Sequence, residues 1–286
     1  MSNRAKGLGI AVLAVLVLMP DTILFRLIRS DEWVLMFWRA GFQGLSLWVA
    51  LILWRGARLA DDLRGLGRHG WGFAVAMGIA ACCFTLAISW TTVANTLFIV
   101  ATTPLWAAIL SWLWMGERAS RRTVWTIAVA LVGIGVIAVS RDAGGVAHWS
   151  GDLAALGGAI GMAIGFTLAR RAQGQSMVPA LALATVLPIG LGALMGGAAM
   201  PLEGDLPILF LIGGVIAPVS FALLSTAPRY VPSPEVSLIL LLETTFAPLL
   251  VWWIIGEHPG QGALIGGAIV ISALLVSNIA GLRRAH

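Results

Sequence analysis

Three ionisable side chains in this sequence lie inside long apolar stretches, where a charge is costly. They are Asp21, Arg39 and Glu243, and the last stands alone among apolar residues in the segment LILLLETTFAPLL, residues 238–250. A charged group at the centre of a membrane helix costs about 2.5 to 3.5 kcal/mol on insertion scales, so it is normally paired, hydrogen-bonded or exposed to water in a cavity. Carboxylate and guanidinium groups in such a setting can bind a charged solute or carry a proton.

The elements that position these residues are apolar runs. Apolar residues make up 59% of the 286 residues and charged residues 11%, and the mean hydropathy is +0.94. A helix needs about 20 apolar residues to cross a bilayer. Ten such runs occur, at about residues 8–28, 33–54, 71–89, 92–115, 123–140, 152–169, 177–200, 207–227, 232–255 and 261–281. The sequence therefore predicts an all-α polytopic membrane protein with ten transmembrane helices.

Basic residues are distributed unevenly between the segments that join these runs. If the N-terminus is cytoplasmic, fourteen of the 18 Lys and Arg residues fall on the cytoplasmic side and three fall outside. The cytoplasmic set is Arg4, Lys6, Arg55, Arg58, Arg64, Arg68, Arg118, Arg121, Arg122, Arg170, Arg171, Arg229, Arg283 and Arg284. Because positively charged loops remain in the cytoplasm, this bias predicts that both termini are cytoplasmic and that the number of helices is even.

The chain contains an internal repeat. A shift of 140 residues places IVATTPLWAAILSWLWMGE (99–117) over ILLLETTFAPLLVWWIIGE (239–257), and six of the nineteen positions match. Five helices separate the two segments, an odd number, so the fourth and ninth helices run in opposite directions across the membrane. The sequence thus predicts two inverted five-helix repeats, residues 1–145 and 146–286, with a site near the membrane midplane between them.

The repeated segments also carry a family resemblance. LAISWTTVANTLFIVATTPLWAAILSWLWMGER (86–118) is echoed by STAPRYVPSPEVSLILLLETTFAPLLVWWIIGEH (225–258), and FWRAGF (37–42) and GDLAALGGAIGMAIGFTLARR (151–171) accompany them. Together they resemble the drug/metabolite transporter superfamily, within it the EamA-type exporters, and among those the YddG-like amino-acid exporters. The resemblance implies two EamA-type halves around a central cavity, export of amino acids across the inner membrane, and a monomer or homodimer.

Asp21 and Arg39 are predicted to lie at one level of the membrane. At 1.5 Å per residue, Asp21 lies roughly 10 Å from the outer end of the first helix, and Arg39 roughly 9 Å from the outer start of the second. An ion pair between them is therefore geometrically allowed. Two interpretations stay open: a buried pair that orients two helices, or a contact for the substrate.

Glu243 is predicted to lie near the midplane, roughly twelve residues from either end of the ninth helix. No partner is evident in the sequence at that depth. The functional interpretation is a carboxyl group that faces the central cavity and binds a cationic group or exchanges a proton, and the structural one is a hydrogen bond to a neighbouring helix. Proton coupling and facilitated diffusion both remain open.

The fourth helix adds a second set of candidates for the substrate site. Asn95, Ile99, Thr102 and Trp106 recur at spacings of four, three and four residues, so they share one helix face. The 140-residue shift places Trp106 on Phe246, so each half can present an aromatic residue to the cavity. Packing between helices explains the same pattern equally well.

Other classes of function have little support in the sequence. The four His residues all fall in loops or at the terminus, none spaced as a metal-ligand pair, so we predict no catalytic residues, no metal and no cofactor. No G-x-x-x-x-G-K-[ST] motif occurs, and Gly157, Gly161 and Gly165, at every fourth position, predict a helix packing face rather than a nucleotide site. No basic stripe with interleaved aromatic residues points to nucleic acid.

These observations predict a secondary transporter rather than an enzyme. It would move small polar or amphipathic metabolites, with amino-acid export favoured by the resemblance, through alternating access. Its partners would be the small-molecule substrate and the lipid bilayer. Two alternatives remain at this point: a membrane-embedded enzyme, and a structural or regulatory membrane subunit that transports nothing.

Overall fold

The computed structural model of this chain is helical throughout its described part. That part comprises residues 3–115, 121–139, 148–172, 175–226, 243, 246–247, 249–256 and 258–282. Six helical segments within it are long and apolar enough to cross a membrane, namely Gly7–Leu27, Glu32–Arg64, Gly67–Trp90, Val93–Trp114, Trp149–Ala169 and Asp205–Leu224, and shorter apolar helices accompany them. The predicted class, an all-α polytopic membrane protein, is confirmed, while the count of ten helices stays a prediction.

The first half contains α1 to α7. They are α1 (Asn3–Leu27), α2 (Glu32–Arg55), a 3-10 turn (Gly56–Arg58), α3 (Leu59–Arg64), α4 (Gly67–Trp90), α5 (Val93–Val100), α6 (Thr103–Met115) and α7 (Arg121–Val139). The predicted boundary between the halves, after residue 145, lies outside the described residues.

The second half continues with α8 to α13. They are α8 (Trp149–Arg171), α9 (Val178–Ala184), α10 (Val186–Leu194), α11 (Asp205–Leu209), a π-helical segment (Phe210–Ile216), α12 (Ala217–Thr226) and α13 (Gln261–Leu282). Residues 249–255 of the ninth apolar run are also helical.

The fourth apolar run is interrupted, which hydropathy did not predict. α5 ends at Val100 and α6 begins at Thr103, directly before Pro104. Proline has no backbone N–H, so Pro104 cannot donate to the carbonyl of Val100 four residues earlier. The Thr103 hydroxyl donates to that carbonyl instead, at 2.6 Å. Since an unpaired carbonyl is costly in a bilayer, the Thr-Pro pair makes the break tolerable.

A proline also accompanies the π-helical segment of the eighth apolar run. The Ala217 N–H donates to the Ile212 carbonyl, five residues earlier rather than four. Pro218 follows directly and cannot supply the next regular hydrogen bond. The wider π turn accommodates the hydrogen bond that Pro218 cannot make. Such turns occur frequently at functional sites.

α4 and α8 pack closely along a row of glycines. A Cβ atom at Gly161 would lie 3.0 Å from the Ala76 carbonyl oxygen, and one at Gly165 would lie 2.8 Å from the Met77 sulfur. Gly157 approaches the sulfur of Cys83 in the same way, at 3.2 Å. The packing face that the glycine spacing predicts is confirmed.

The pattern of helix contacts has the pairing that an inverted repeat requires. α1 packs against α12, and α8 packs against α4. If the first and sixth apolar runs are equivalent, and likewise the third and eighth, these two contacts are copies of one another. α7 and α13, in the fifth and tenth runs, also pack together. These contacts are the ones that two repeats related by a pseudo-two-fold axis would make.

The two halves of the chain are connected by different hydrogen bonds at each end of the helix bundle. At one end Asp205, at the start of α11, accepts hydrogen bonds from the backbone N–H groups of Arg29 and Ser30, at 3.0 and 2.8 Å. At the other end Gln175 donates to the Gly65 carbonyl at 3.1 Å. We call the end that holds Asp205 the outer end and the end that holds Gly65 the inner end, following the topology that the charges predict.

Candidate functional site

Asp21 and Arg39 form a buried ion pair between α1 and α2. The Arg39 Nη2 atom lies 3.0 Å from Asp21 Oδ2 and 3.3 Å from Oδ1. Asp21 is 3% exposed and Arg39 is 7% exposed. Since each charge is removed from solvent, each depends on the other for compensation. The predicted ion pair is present.

The surroundings of Arg39 fix its position. Gly213, in the π-helical segment, touches the Arg39 backbone carbonyl so closely that a Cβ atom at this position would overlap the oxygen. The Phe25 ring on α1 lies 5.5 Å from the guanidinium carbon, within cation-π range. Pro20, directly before Asp21, interrupts the backbone hydrogen bonding of α1. Three helical segments therefore converge on the pair.

Glu243, in the ninth apolar run, is partly buried, and the negative charge of Asp21 acts on its carboxyl group. That Glu243 has no partner at its depth stays a prediction. Counting residues along each helix assumes straight and upright helices, whereas membrane helices tilt by about 20° on average and α1 contains Pro20.

Asp21, Arg39 and Glu243, which we call the charged cluster, are unequal in charge. Two carboxyl groups face one guanidinium group, so full ionisation leaves a net charge of −1. Within the described part of the chain, Arg39 Nε and the Ser220 hydroxyl are buried atoms that find no hydrogen-bond partner. A buried polar group without a partner costs roughly 1 to 3 kcal/mol. The surplus charge of the three groups would be compensated by one more cation or proton, and Arg39 Nε can donate to one more acceptor.

Asn95 lies outside this cluster, near the outer end of α5. Its side-chain amide donates to Asp152 Oδ1 on α8 and to the Thr91 hydroxyl, both at 3.2 Å. The Thr91 hydroxyl donates to the same Asp152 oxygen at 2.9 Å. Asn95 is thus occupied in joining the two halves. Sequence reasoning did not single out Asp152, although an acid at the start of an apolar run is a signal for such a contact.

Thr102 and Trp106 lie at the break between α5 and α6. The indole N–H of Trp106 donates to the Thr102 hydroxyl at 3.1 Å, and that hydroxyl donates to the Ile99 carbonyl at 2.6 Å. Thr102 is fully buried and Trp106 is partly buried. Phe246, the repeat equivalent of Trp106, is 47% exposed. Thr102 and Trp106 therefore contact each other at the break between α5 and α6, and Asn95 makes its contacts elsewhere.

The outer halves of the fourth and ninth apolar runs touch through apolar side chains. Val93 and Leu97 on α5 pack with Ala247 and Val251 in one buried cluster. Ala247 is fully buried, whereas Ala107, its equivalent under the 140-residue shift, is partly exposed. The outer halves of the two helices are therefore in contact, while the residues equivalent to Val93 and Leu97 in the ninth run lie outside the described residues.

The described residues hold no group of three His, Cys, Asp or Glu side chains that could bind a metal ion. Cys82 and Cys83 are free thiols, as expected for adjacent cysteines on one helix. Glu117 and Glu257, at the ends of the two repeated segments, lie outside the described residues. The chemistry that the described site offers is therefore charge recognition and hydrogen bonding.

The chain is similar to known proteins both in sequence and in fold. A family model described as the EamA-like transporter family matches the chain twice, over residues 5–139 and 149–279. A solved structure described as "Crystal structure of protein" superposes with a TM-score of 0.67 at 18% identity, covering 99% of this chain and 100% of that one. At this identity the likeness shows a shared fold. Among curated proteins, no sequence matches this chain.

Proposed function

Because this chain belongs to the EamA-like transporter family, and is therefore a multi-pass membrane transporter of small molecules, we propose that it is a secondary transporter that works by alternating access. The observation that carries the proposal is the buried ion pair of Asp21 and Arg39 inside the membrane, with Glu243 as a third ionisable group in an apolar run. Intramembrane ionisable groups usually mark the path of a substrate or a proton. The family to which the chain belongs is one of transporters rather than of enzymes or structural subunits.

The charges of the cluster favour substrates that carry both signs. A substrate ammonium group would compensate the surplus carboxylate formed by Asp21 and Glu243, and a substrate carboxylate would accept from the unpaired Nε of Arg39. Small zwitterions, above all amino acids, have both groups a few ångströms apart. We therefore propose amino-acid export as the activity, with a small apolar side chain tolerated by the surrounding aromatic and aliphatic residues.

The surplus charge also supports proton coupling. With no substrate bound, a proton on Glu243 would restore neutrality, because Arg39 already compensates Asp21. A substrate ammonium group and a proton would then compete for the same carboxylate, which is the condition for exchange of one for the other. In this scheme an inward proton movement drives outward substrate movement across the inner membrane.

The arrangement of helices supports alternating access. The apolar contact of Val93 and Leu97 with Ala247 and Val251 joins the fourth and ninth apolar runs towards the outer end. If the inverted halves exchanged conformations, this contact would open and the equivalent contact at the inner end would form. The proposal includes two inverted five-helix halves, which make ten helices in all, with both termini in the cytoplasm. It also includes function as a monomer or homodimer.

The test is solute flux into liposomes that contain only this protein. Three labelled solutes of similar size separate the charge requirements: a zwitterionic amino acid, the corresponding amine and the corresponding carboxylic acid. The proposal expects flux of the amino acid well above that of the other two, and no flux in empty liposomes. Equal flux of the three solutes, or none, would overturn it.

A further inference from the structure

The turn between α1 and α2 is held against the outer end of α4 by side chains on both sides of the turn. Arg26, in the last turn of α1, donates from Nη1 to the Ile88 carbonyl at 2.9 Å and from Nη2 to the Thr91 carbonyl at 3.0 Å. Glu32, the first residue of α2, accepts from the indole N–H of Trp90 at 3.1 Å. Side-chain hydrogen bonds from the first two helices therefore meet at one end of the third apolar run.

The end of α4 offers carbonyl groups that the helix itself leaves without a donor. α4 ends at Trp90. In a continuing helix the Asn95 N–H would bond the Thr91 carbonyl, but it donates to the Thr92 hydroxyl instead, at 3.2 Å. The last carbonyls of a helix also carry the negative end of its dipole, which favours a guanidinium group. Since water can bond the same carbonyls, Arg26 can leave them without leaving an acceptor unpaired.

α1 and α4 belong to different groups of packed helices. α1 packs along α12, and α4 packs along α8. Between α1 and α4 themselves, the Phe25 ring meets the Phe84 ring edge to face, with centroids 6.3 Å apart, and Arg26 makes its two hydrogen bonds beside them. Side chains therefore make this contact, and they can separate while α1 stays packed on α12 and α4 on α8.

A layer of apolar side chains accompanies this contact. We call it the outer layer, and it consists of Ile23, Phe84, Val93, Leu97, Ala247 and Val251. On α1, Ile23 lies between Asp21 and Arg26, which are separated by about 7.5 Å of helix. The outer layer thus lies, along α1, between the charged cluster and Arg26. Both halves of the chain contribute to it.

We propose that Arg26 is a latch that holds the outer end closed: it ties α1 to α4 beside the outer layer and releases the Ile88 and Thr91 carbonyls when the outer end opens. The proposal rests on the proposed alternating access, in which a substrate that leaves the charged cluster outwards has to pass the outer layer. Glu32 and Trp90 supply a second contact of the same kind, with one hydrogen bond in place of two. Without Arg26, the outer end should open more often.

The test measures how fast a cysteine in the outer layer reacts from outside intact cells. In the full chain with Cys82→Ala and Cys83→Ala, Leu97→Cys places a thiol where an impermeant thiol reagent reaches it only when the outer end is open. Adding Arg26→Gln should make labelling about tenfold faster, because two charge-assisted hydrogen bonds of the closed state are lost. Labelling reports opening and needs no flux, so its failure is distinguishable from failure of the transport proposal.

A second variant removes the other contact of the latch. Trp90→Phe deletes the hydrogen bond to Glu32 but keeps an aromatic ring, and it should speed the labelling of Leu97→Cys by a smaller factor than Arg26→Gln. If Arg26→Gln does not reach the membrane, Trp90→Phe alone decides. Unchanged labelling in every latch variant that reaches the membrane would overturn the proposal.

The matched control is Arg29→Gln. It removes the same charge from an exposed residue at the same end, whose contact with Asp205 is made by the backbone N–H, so the labelling rate of Leu97→Cys should stay the same. Equal acceleration in Arg29→Gln and Arg26→Gln would overturn the proposal. So would labelling of Leu97→Cys, with the latch intact, as fast as labelling of the exposed Glu203→Cys.

Discussion

Asp21 on α1 and Arg39 on α2 form an ion pair of 3.0 Å that is removed from solvent. Each charge compensates the other, so a change at one of the two residues should affect the other. The negative charge of Asp21 also acts on Glu243, which the second half of the chain supplies. We therefore expect substitutions at the three residues to be coupled, and double variants can measure that coupling.

Substitution in the buried pair of Asp21 and Arg39 should lower stability much more than substitution in an exposed ion pair. Asp21→Asn leaves the Arg39 charge without its main partner and should destabilise the protein by about 3 kcal/mol, because a buried charge that loses its partner is strongly unfavourable. The double variant Asp21→Asn with Arg39→Gln should recover part of this loss. Thermal unfolding in detergent measures both effects.

The exposed pair of Arg55 and Asp62 serves as the control. Their atoms are 2.6 Å apart, but the Arg55 side chain is 43% exposed, so Asp62→Asn should change Tm far less than Asp21→Asn does, because solvent screens the exposed pair. Losses that simply add in the Asp21 and Arg39 double variant would show that the two side chains do not act as a pair.

The contact between Gly213 and Arg39 gives a second prediction. Gly213→Ala adds a Cβ atom against the Arg39 carbonyl, where neither backbone can yield easily, and should destabilise the protein by about 1 to 3 kcal/mol. It should also reduce transport, because it displaces Arg39. Gly41→Ala is the matched control on α2, since a Cβ atom there meets nothing within 4 Å. Equal behaviour of the two alanine variants would refute this account of Arg39.

The membrane orientation gives a third prediction. In a background with Cys82→Ala and Cys83→Ala, a cysteine replacing Arg64 should react with an impermeant thiol reagent only when the cytoplasmic side is accessible. A cysteine replacing Glu203, exposed in the loop before α11, should react from outside intact cells. The reverse pattern would contradict the orientation inferred from the Arg and Lys residues.

Much of the fold follows from the sequence because hydropathy, charge and small residues act locally. The apolar runs predict the long helices, and the spacing of Gly157, Gly161 and Gly165 predicts the packing of α8 on α4. The ion pair of Asp21 and Arg39 follows from their similar distance to the outer ends of neighbouring helices. Each of these inferences uses only positions along one or two helices.

The remaining features depend on how backbone hydrogen bonds are rearranged and on tertiary contacts. Hydropathy does not register the break before Pro104 or the π turn before Pro218, since apolar side chains continue across both. The contact of Asn95 with Asp152 joins the two halves of the chain, and the sequence marks only Asp152, as an acid at the start of an apolar run, and not its partner. The depth of Glu243 stays a prediction, because residue counting assumes straight, upright helices.

The most direct test of the transport mechanism is the response of flux to pH in Glu243→Gln. Glutamine keeps the shape and hydrogen-bonding capacity of the side chain but cannot bind or release the proton. Wild-type protein in liposomes with an acidic interior should accumulate amino acid against its gradient, because protons leaving the vesicle exchange for substrate entering it. Thr103→Ala, at the position equivalent to Glu243 in the first half, serves as a control for general disturbance of the cavity. We predict that Glu243→Gln folds with an unchanged Tm yet loses accumulation driven by the pH gradient, whereas Thr103→Ala retains it; wild-type accumulation in Glu243→Gln would contradict the account.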